Sequence, residues 1–506
     1  MTSAPVPAST PEPSFTLALT RQWMVEHGRR PINVVLLIVV PVVFVTLSAG
    51  ALADFADILG GASDLGEVEA ATAGWAAAVL AGVAGFFHVS TSRDADRRLA
   101  AAGAGAGRVV ASRLVSTAAL AALASLGALV ALRVRTDLAT SPRVIGATIV
   151  FAVIYAGIGV TVGALVRSEM NGSLIVVFAW IFDVFFGPAM GGTAGFIRVL
   201  PLHFPTLVVT NVASAHAGPL GDVGLSLVWA AVAISIAVVA LTATTRPRRH
   251  VVRRTSPGLR RVGAAWSAAN RQLRRMPAMW ILILGLPVAF ISASIAVTPS
   301  DPTPVELVEN GRRGLRLLSM ADVHGAVMVP ITIGFLASLA GLFVILDSAQ
   351  ADRRLSLTRF RPVEILTVRM AVIAGASLMA TAVSIAITAV SFRAVSWSLF
   401  ILANVLVALT YATIGIIVGP IFGRLGGLYL LLVLPFIDIG LAQNAMFDAA
   451  PPAWGRYLPG HGAVRVMMDG AFTPTFDETG ALLLALGWLV VLGAVATTVF
   501  RRVTVS

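Results

Sequence analysis

Two carboxylates stand where an ionisable group is costly. Asp183 lies within LIVVFAWIFDVFFGPAM and Asp438 within LLLVLPFIDIGLAQNAM, and a carboxylate among apolar side chains persists only if it is neutralised, paired or wetted. Two readings stay open: the pair lines a pathway, binding a cationic substrate or stabilising a gate, or it serves helix packing and ion pairing, with Arg113 and Arg369 or hydroxyls on a neighbouring helix as candidate partners. Aromatic side chains surround them. Trp180, Phe182 and Phe186, with Phe87, Phe343 and Phe436, would make an apolar substrate surface, or else pack between helices and against lipid. Two proline-interrupted segments follow the acids, with Pro201 and His203 in LPLH and Pro459 and His461 in LPGH. Proline breaks a helix, so each suggests a re-entrant hairpin whose freed backbone groups are met by protein or water. The histidines could meet across an axis, hold a metal or simply belong to a turn. One histidine per segment is far from a metal motif, and no acid, base and nucleophile cluster together, so no catalytic residue and no metal site is nominated.

Such residues need elements to hold them, and composition says of what kind. Of 506 residues 57% are hydrophobic and 12% charged, with a mean hydropathy of +0.88, a balance that places the chain in a membrane. The apolar runs are continuous instead of alternating, which argues for helices and against a barrel. Cysteine is absent, excluding disulfides and thiolate chemistry. Lysine is absent too, so every basic residue is arginine; this usage suggests a high-GC bacterial source, and it denies the chain the lysine of a P-loop. The first 30 residues read as carrying no removable signal peptide.

A span needs about 20 apolar residues. Twelve stretches meet that need, near 32–54, 71–92, 109–132, 144–166, 172–190 and 220–244, then 279–298, 325–347, 365–390, 397–422, 428–446 and 480–500. With the N-terminus inside, the inner connections and termini hold 25 arginines and the outer ones 10, the bias expected of both termini in the cytoplasm. The fold class expected is therefore an all-α integral membrane protein. A basic segment at 242–277 joins its halves and reads as lying on anionic headgroups, not as a nucleic-acid site.

The chain repeats itself. ADRRL at 95–99 recurs at 351–355, and at the same offset of 256 Arg113 matches Arg369, Tyr155 matches Tyr411, Gly159 matches Gly415 and Gly163 matches Gly419. Pro31 and Pro41 match Pro277 and Pro287, RVLPLH answers RYLPGH, and Asp183 answers Asp438. Six spans per copy give both copies one orientation, so the expectation is two tandem six-helix repeats about an axis along the membrane normal. The divisions are an unstructured start at 1–13, a first repeat at 14–244, a linker at 245–258 and a second repeat at 259–506.

Each half thus presents an arginine-bearing amphipathic segment, a proline-containing first span, a second span entering a charged turn, two more spans, a short turn, a fifth span, an outer Pro-containing segment and a sixth span. This order resembles the permease subunits of ATP-binding-cassette exporters of the type-2 class, here with two permease domains fused. The resemblance covers about 480 residues. It implies export of a hydrophobic or amphipathic compound, such as a drug, natural product or lipid. Energy would come from a separate ATPase subunit, two copies docking beneath the permease and carrying the ATP and Mg, with no cofactor on this chain. It also implies that the turn after each second span is a coupling helix, which nominates Asp96, Arg97 and Arg98 with Asp352, Arg353 and Arg354 for ion pairs to the ATPase. Segments near 15–30 and 260–275 would lie along the bacterial plasma membrane, against lipid and ATPase. The competing readings are a twelve-span secondary transporter of the major facilitator kind and an intramembrane transferase.

Overall fold

A computed structural model describes residues 15–28, 31–61, 64–192, 195–245, 277–357 and 362–505. The expected unstructured start at 1–13, most of the linker at 245–258 and the second surface segment at 260–275 lie outside the described residues. So do 358–361 of the second turn expected to couple.

The chain is mostly helical. A short helix, α1 (Phe15–Gly28), precedes α2 (Pro31–Ile58), α3 (Leu65–Ser90), the turn helix α4 (Arg93–Leu99), α5 (Ala106–Arg135), α6 (Pro142–Leu165), α7 (Glu169–Phe185), the short α8 (His203–Val209) and α9 (Gly221–Thr245). There follow α10 (Pro277–Val297), α11 (Met320–Leu357), α12 (Pro362–Ser391), α13 (Trp397–Pro435), α14 (His461–Phe472) and α15 (Thr479–Val505). Among the described residues, nine helices are long and apolar enough to cross a membrane. We call the end with Phe15, Arg93, Thr245 and Val505 the terminal end, and the opposite end the hairpin end.

Two of the expected spans are shorter than that standard: α7 has 17 residues, and α10 offers only Ile283–Ala296 as an apolar stretch. Two others run together in α13. Its 39 residues would reach about 58 Å as one ideal helix, well beyond a hydrocarbon core of about 30 Å. Gly423, at φ 68°, breaks it, a conformation that glycine alone adopts without strain. The second part continues past Pro435 as a π-helical stretch, Phe436–Ala442, that carries Asp438.

Burial separates the centre of the bundle from its rim. The apolar stretch of α3 is 100% buried and that of α11 83%, against 11% for α15. Small side chains make the central packing close. A Cβ on Gly159 would stand 1.9 Å from the Gly82 carbonyl oxygen, and one on Gly415 2.0 Å from that of Ser338. Each fourth span of the sequence reading therefore lies backbone to backbone on the second.

Among the described residues, one β-hairpin lies outside the helical reading. β1 (Pro302–Glu309) and β2 (Arg312–Ser319) form an antiparallel pair between α10 and α11, with Val305 opposite Arg316. Thr303, Val305 and Leu307 alternate inward, and Asn310 and Gly311 turn at φ 52° and 73°. Asn-Gly is the residue pair that such a hairpin turn favours. The Glu306 amide donates to the Ala449 carbonyl at 2.8 Å, which ties the hairpin to the loop after the π-helical stretch.

Candidate functional site

The two intramembrane acids occupy equivalent settings. Tyr155 of α6 donates its hydroxyl to Asp183 Oδ2, and the Leu202 amide donates to Asp183 Oδ1 at 3.3 Å. Tyr411 of α13 donates to Asp438 Oδ2 at 2.6 Å, and the Gly460 amide donates to the same oxygen at 2.7 Å. Leu202 and Gly460 are the residues after proline in LPLH and LPGH. Each acid thus fastens the segment entering α8 or α14 to the helix bearing the tyrosine. Gly460 allows the closer approach, because a Cβ there would lie 2.9 Å from both carboxylate oxygens. Arg113 plays no part in this. It is paired with Asp96.

The histidines are engaged locally. His203 Nε2 lies 2.9 Å from His216 Nε2, and His461 Nδ1 lies 2.8 Å from Gln443 Oε1, so neither pairs with its counterpart across the molecule. Pro201 and Pro459 sit at the bends leading into α8 and α14. Among the described residues no group of three or more His, Asp or Glu is placed to hold a metal.

An apolar cavity of about 110 Å³ opens between the two halves of the chain, walled by α2 and α7 from one side and by α10, α11 and the end of α13 from the other. Trp180, Phe186 and Phe436 are on its wall. Phe182 stacks on Phe186 at 5.2 Å behind the lining, Phe87 packs on Phe86 at 5.0 Å, and Phe343 is buried within α11. Asp183 and Asp438 are not on the wall either: both oxygens of Asp183 and Oδ2 of Asp438 accept from the tyrosines and hairpin amides. The wall carries no charged side chain, and its polar members are Ser294, His324, Thr332 and Asn444. Phe44 stacks on Phe436 at 5.5 Å across the halves.

Towards the terminal end the halves are held shut. Arg424, beside the break in α13, contacts Glu169 at the start of α7 and Asp347 of α11, the latter at 2.6 Å. Above it, Tyr429 donates to the Leu80 carbonyl at 3.1 Å. Charges flanking short turns were the available signal for this clasp, but which turns face each other depends on how the halves meet.

The charged turn after α3, expected to couple to a partner, is built differently from a free charged surface. Asp96 is 3% exposed, and Arg113 of α5 donates from Nη2 to its Oδ1 at 2.7 Å and from Nε to its Oδ2 at 3.0 Å. The same guanidinium lies 3.6 Å from the centre of the Trp23 ring of α1, a cation–π distance. Burial outweighs the attraction of Arg113 and raises the Asp96 carboxyl above the usual carboxylate range, as expected where desolvation rivals the Coulomb gain. Asp96 therefore ties α4 to α5 and α1 and does not face outward. Arg97 donates to the Thr244 carbonyl at 2.8 Å and Arg98 to that of Asp94 at 3.2 Å; Asp94, which was not nominated, is the exposed acid of the turn. Asp352, Arg353 and Arg354 lie in the last turns of α11; their side chains are outside what is described.

The fold and these settings define a multi-pass, α-helical membrane protein with an apolar cavity between its halves. No protein-family model matches the chain, and no curated protein matches it either.

Proposed function

We propose that the chain is the permease of an ATP-driven exporter of the type-2 ATP-binding-cassette class, two six-span units fused into one pathway. It moves a hydrophobic or amphipathic compound out of a bacterial cell. Both termini are cytoplasmic, the terminal end faces two copies of a separate ATPase subunit, and the hairpin end faces outward. The observation that carries this reading is the uncharged cavity between the halves, closed towards the terminal end by Arg424, Glu169 and Asp347. A pathway that alternates between two openings needs one such closed end and a site midway.

Two further observations support it. The repeated Asp–Tyr–hairpin setting gives each half a rigid outer segment, and the Trp23–Arg113–Asp96 contact joins α1, α4 and α5 into one body at the terminal end. A force applied by a partner at α1 or α4 reaches the spans through that body. Breaks at Gly423 and in the Phe436–Ala442 stretch place the helical irregularities on the helix that meets both the clasp and the cavity.

The test is reconstitution in proteoliposomes with and without the ATPase subunit that copurifies with the chain. The expected result is ATP-dependent movement of a lipophilic dye only when both are present. Gradient-driven transport by the chain alone would overturn the proposal.

A further inference from the structure

The polar groups of the cavity wall have already spent all but one of their hydrogens. Thr298 donates its hydroxyl to the Ser294 carbonyl at 2.8 Å, and a hydroxyl has one hydrogen to give. The 2.5 Å contact between Thr298 Oγ1 and His324 Nδ1 is therefore a donation from the ring N–H to the hydroxyl oxygen. In the neutral imidazole this leaves Nε2 bare, so the 2.6 Å contact with Ser294 Oγ is a donation from serine to histidine. The relay runs in one direction, from Ser294 to His324 to Thr298 to backbone. His324 is 0% exposed and the Phe55 ring stands edge-on to it at 5.5 Å, which holds the imidazole in place.

The other polar members follow suit. Thr332 donates to the Met328 carbonyl at 2.8 Å. Asn444 donates one Nδ2 hydrogen to the Gly440 carbonyl at 3.2 Å and keeps the other, while its Oδ1 accepts from the Met446 amide at 3.0 Å. What the wall offers a ligand is thus mainly oxygen and nitrogen lone pairs, set in apolar surface. A carboxylate or sulfonate brings only acceptors and would lose its hydration with a single Asn444 N–H to replace it. An ammonium brings donors but no carboxylate faces the cavity to neutralise it.

We infer that the Ser294–His324 pair is the polar recognition point of the cavity and that it selects neutral, lipophilic ligands bearing a hydroxyl, alcohols or phenols, whose O–H donates into the lone pairs of Ser294 Oγ. This rests on the reading of the cavity as the transported compound's site. When Ser294 is removed, the same O–H reaches His324 Nε2 directly, so selectivity is lost only when both acceptors are gone.

The experiment measures binding of 2-naphthol, its methyl ether and 2-naphthoate to the purified full chain in nanodiscs, by naphthyl fluorescence. The native chain should bind naphthol about tenfold more tightly than the ether, the worth of one hydrogen bond, and naphthoate more weakly than either. In Ser294→Ala the naphthol preference should persist. In His324→Phe alone it should persist as well, because Ser294 Oγ can still accept; in Ser294→Ala/His324→Phe, where both acceptors are gone, it should fall below about twofold while ether affinity holds, and that retained affinity shows the cavity intact. Equal binding of naphthol and ether by the native chain, or a preference surviving in Ser294→Ala/His324→Phe, would overturn the inference and leave the cavity reading standing. Binding of no probe by the native chain would overturn both.

Discussion

Asp438→Ala is the sharpest perturbation available. Asp438 is 0% exposed, and it accepts the Tyr411 hydroxyl at 2.6 Å and the Gly460 amide at 2.7 Å. Alanine leaves both donors in a site that water does not reach. An orphaned buried donor costs about 1–3 kcal/mol, so the variant should lose about 2–6 kcal/mol. Asp438→Asn keeps one acceptor oxygen and should lose about half as much. Tyr411→Phe removes one donor, and adding it to Asp438→Ala should restore part of the loss, because one orphan disappears; that non-additivity marks a shared contact. The assay is heat challenge of the detergent-solubilised chain followed by size-exclusion chromatography, scored as the surviving monodisperse fraction. An Asp438→Ala variant as heat-resistant as the native chain would refute the structural role. So would an Asp438→Asn variant of native stability that has lost all transport, since the carboxylate would then act by its charge and not by fastening the hairpin.

Gly159→Val and Gly415→Val should abolish monodisperse expression, because the added Cβ meets a backbone oxygen at 1.9 and 2.0 Å that cannot turn aside, whereas Gly375→Ala, with nothing within 4 Å, should be tolerated; yields on size exclusion check this. Asp96→Leu strands the buried Arg113 charge at a cost of about 3–5 kcal/mol, and Asp96→Leu/Arg113→Met should recover most of it, measured by the same heat challenge. Arg424→Gln, Glu169→Gln and their double variant should raise access of a membrane-impermeant thiol reagent to a cysteine placed at Thr332 from the terminal end, with the double no worse than Arg424→Gln alone. The natural absence of cysteine makes that labelling unambiguous.

Much of this protein is written locally. Twelve apolar stretches, the Pro31 and Pro277 starts and the matched motifs are legible because crossing hydrocarbon is a demand that each segment of about 20 residues meets by itself. The helices formed around these stretches, one running ten residues beyond its apolar end at 347, and two stretches joined across Gly423. The β-hairpin passed unnoticed although Asn310-Gly311 and the alternation around Val305 announced it, because the surrounding apolar signal dominated that region. Asp183 and Asp438 were conspicuous, yet their partners were not: Tyr155 lies 28 residues from Asp183 and Leu202 lies 19, separations that only packing closes. The face that Asp96 shows is likewise undetermined by ADRRL, since a seven-residue helix turns towards whatever packs on it, here Arg113 and Trp23. The residues that meet across the halves, Arg424 with Glu169 and Phe44 with Phe436, and the Ser294–His324–Thr298 relay, were decided by tertiary structure alone. Hydrophobicity dictates which segments enter the membrane; how side chains from distant segments share a buried hydrogen or charge depends on positions that no local pattern records.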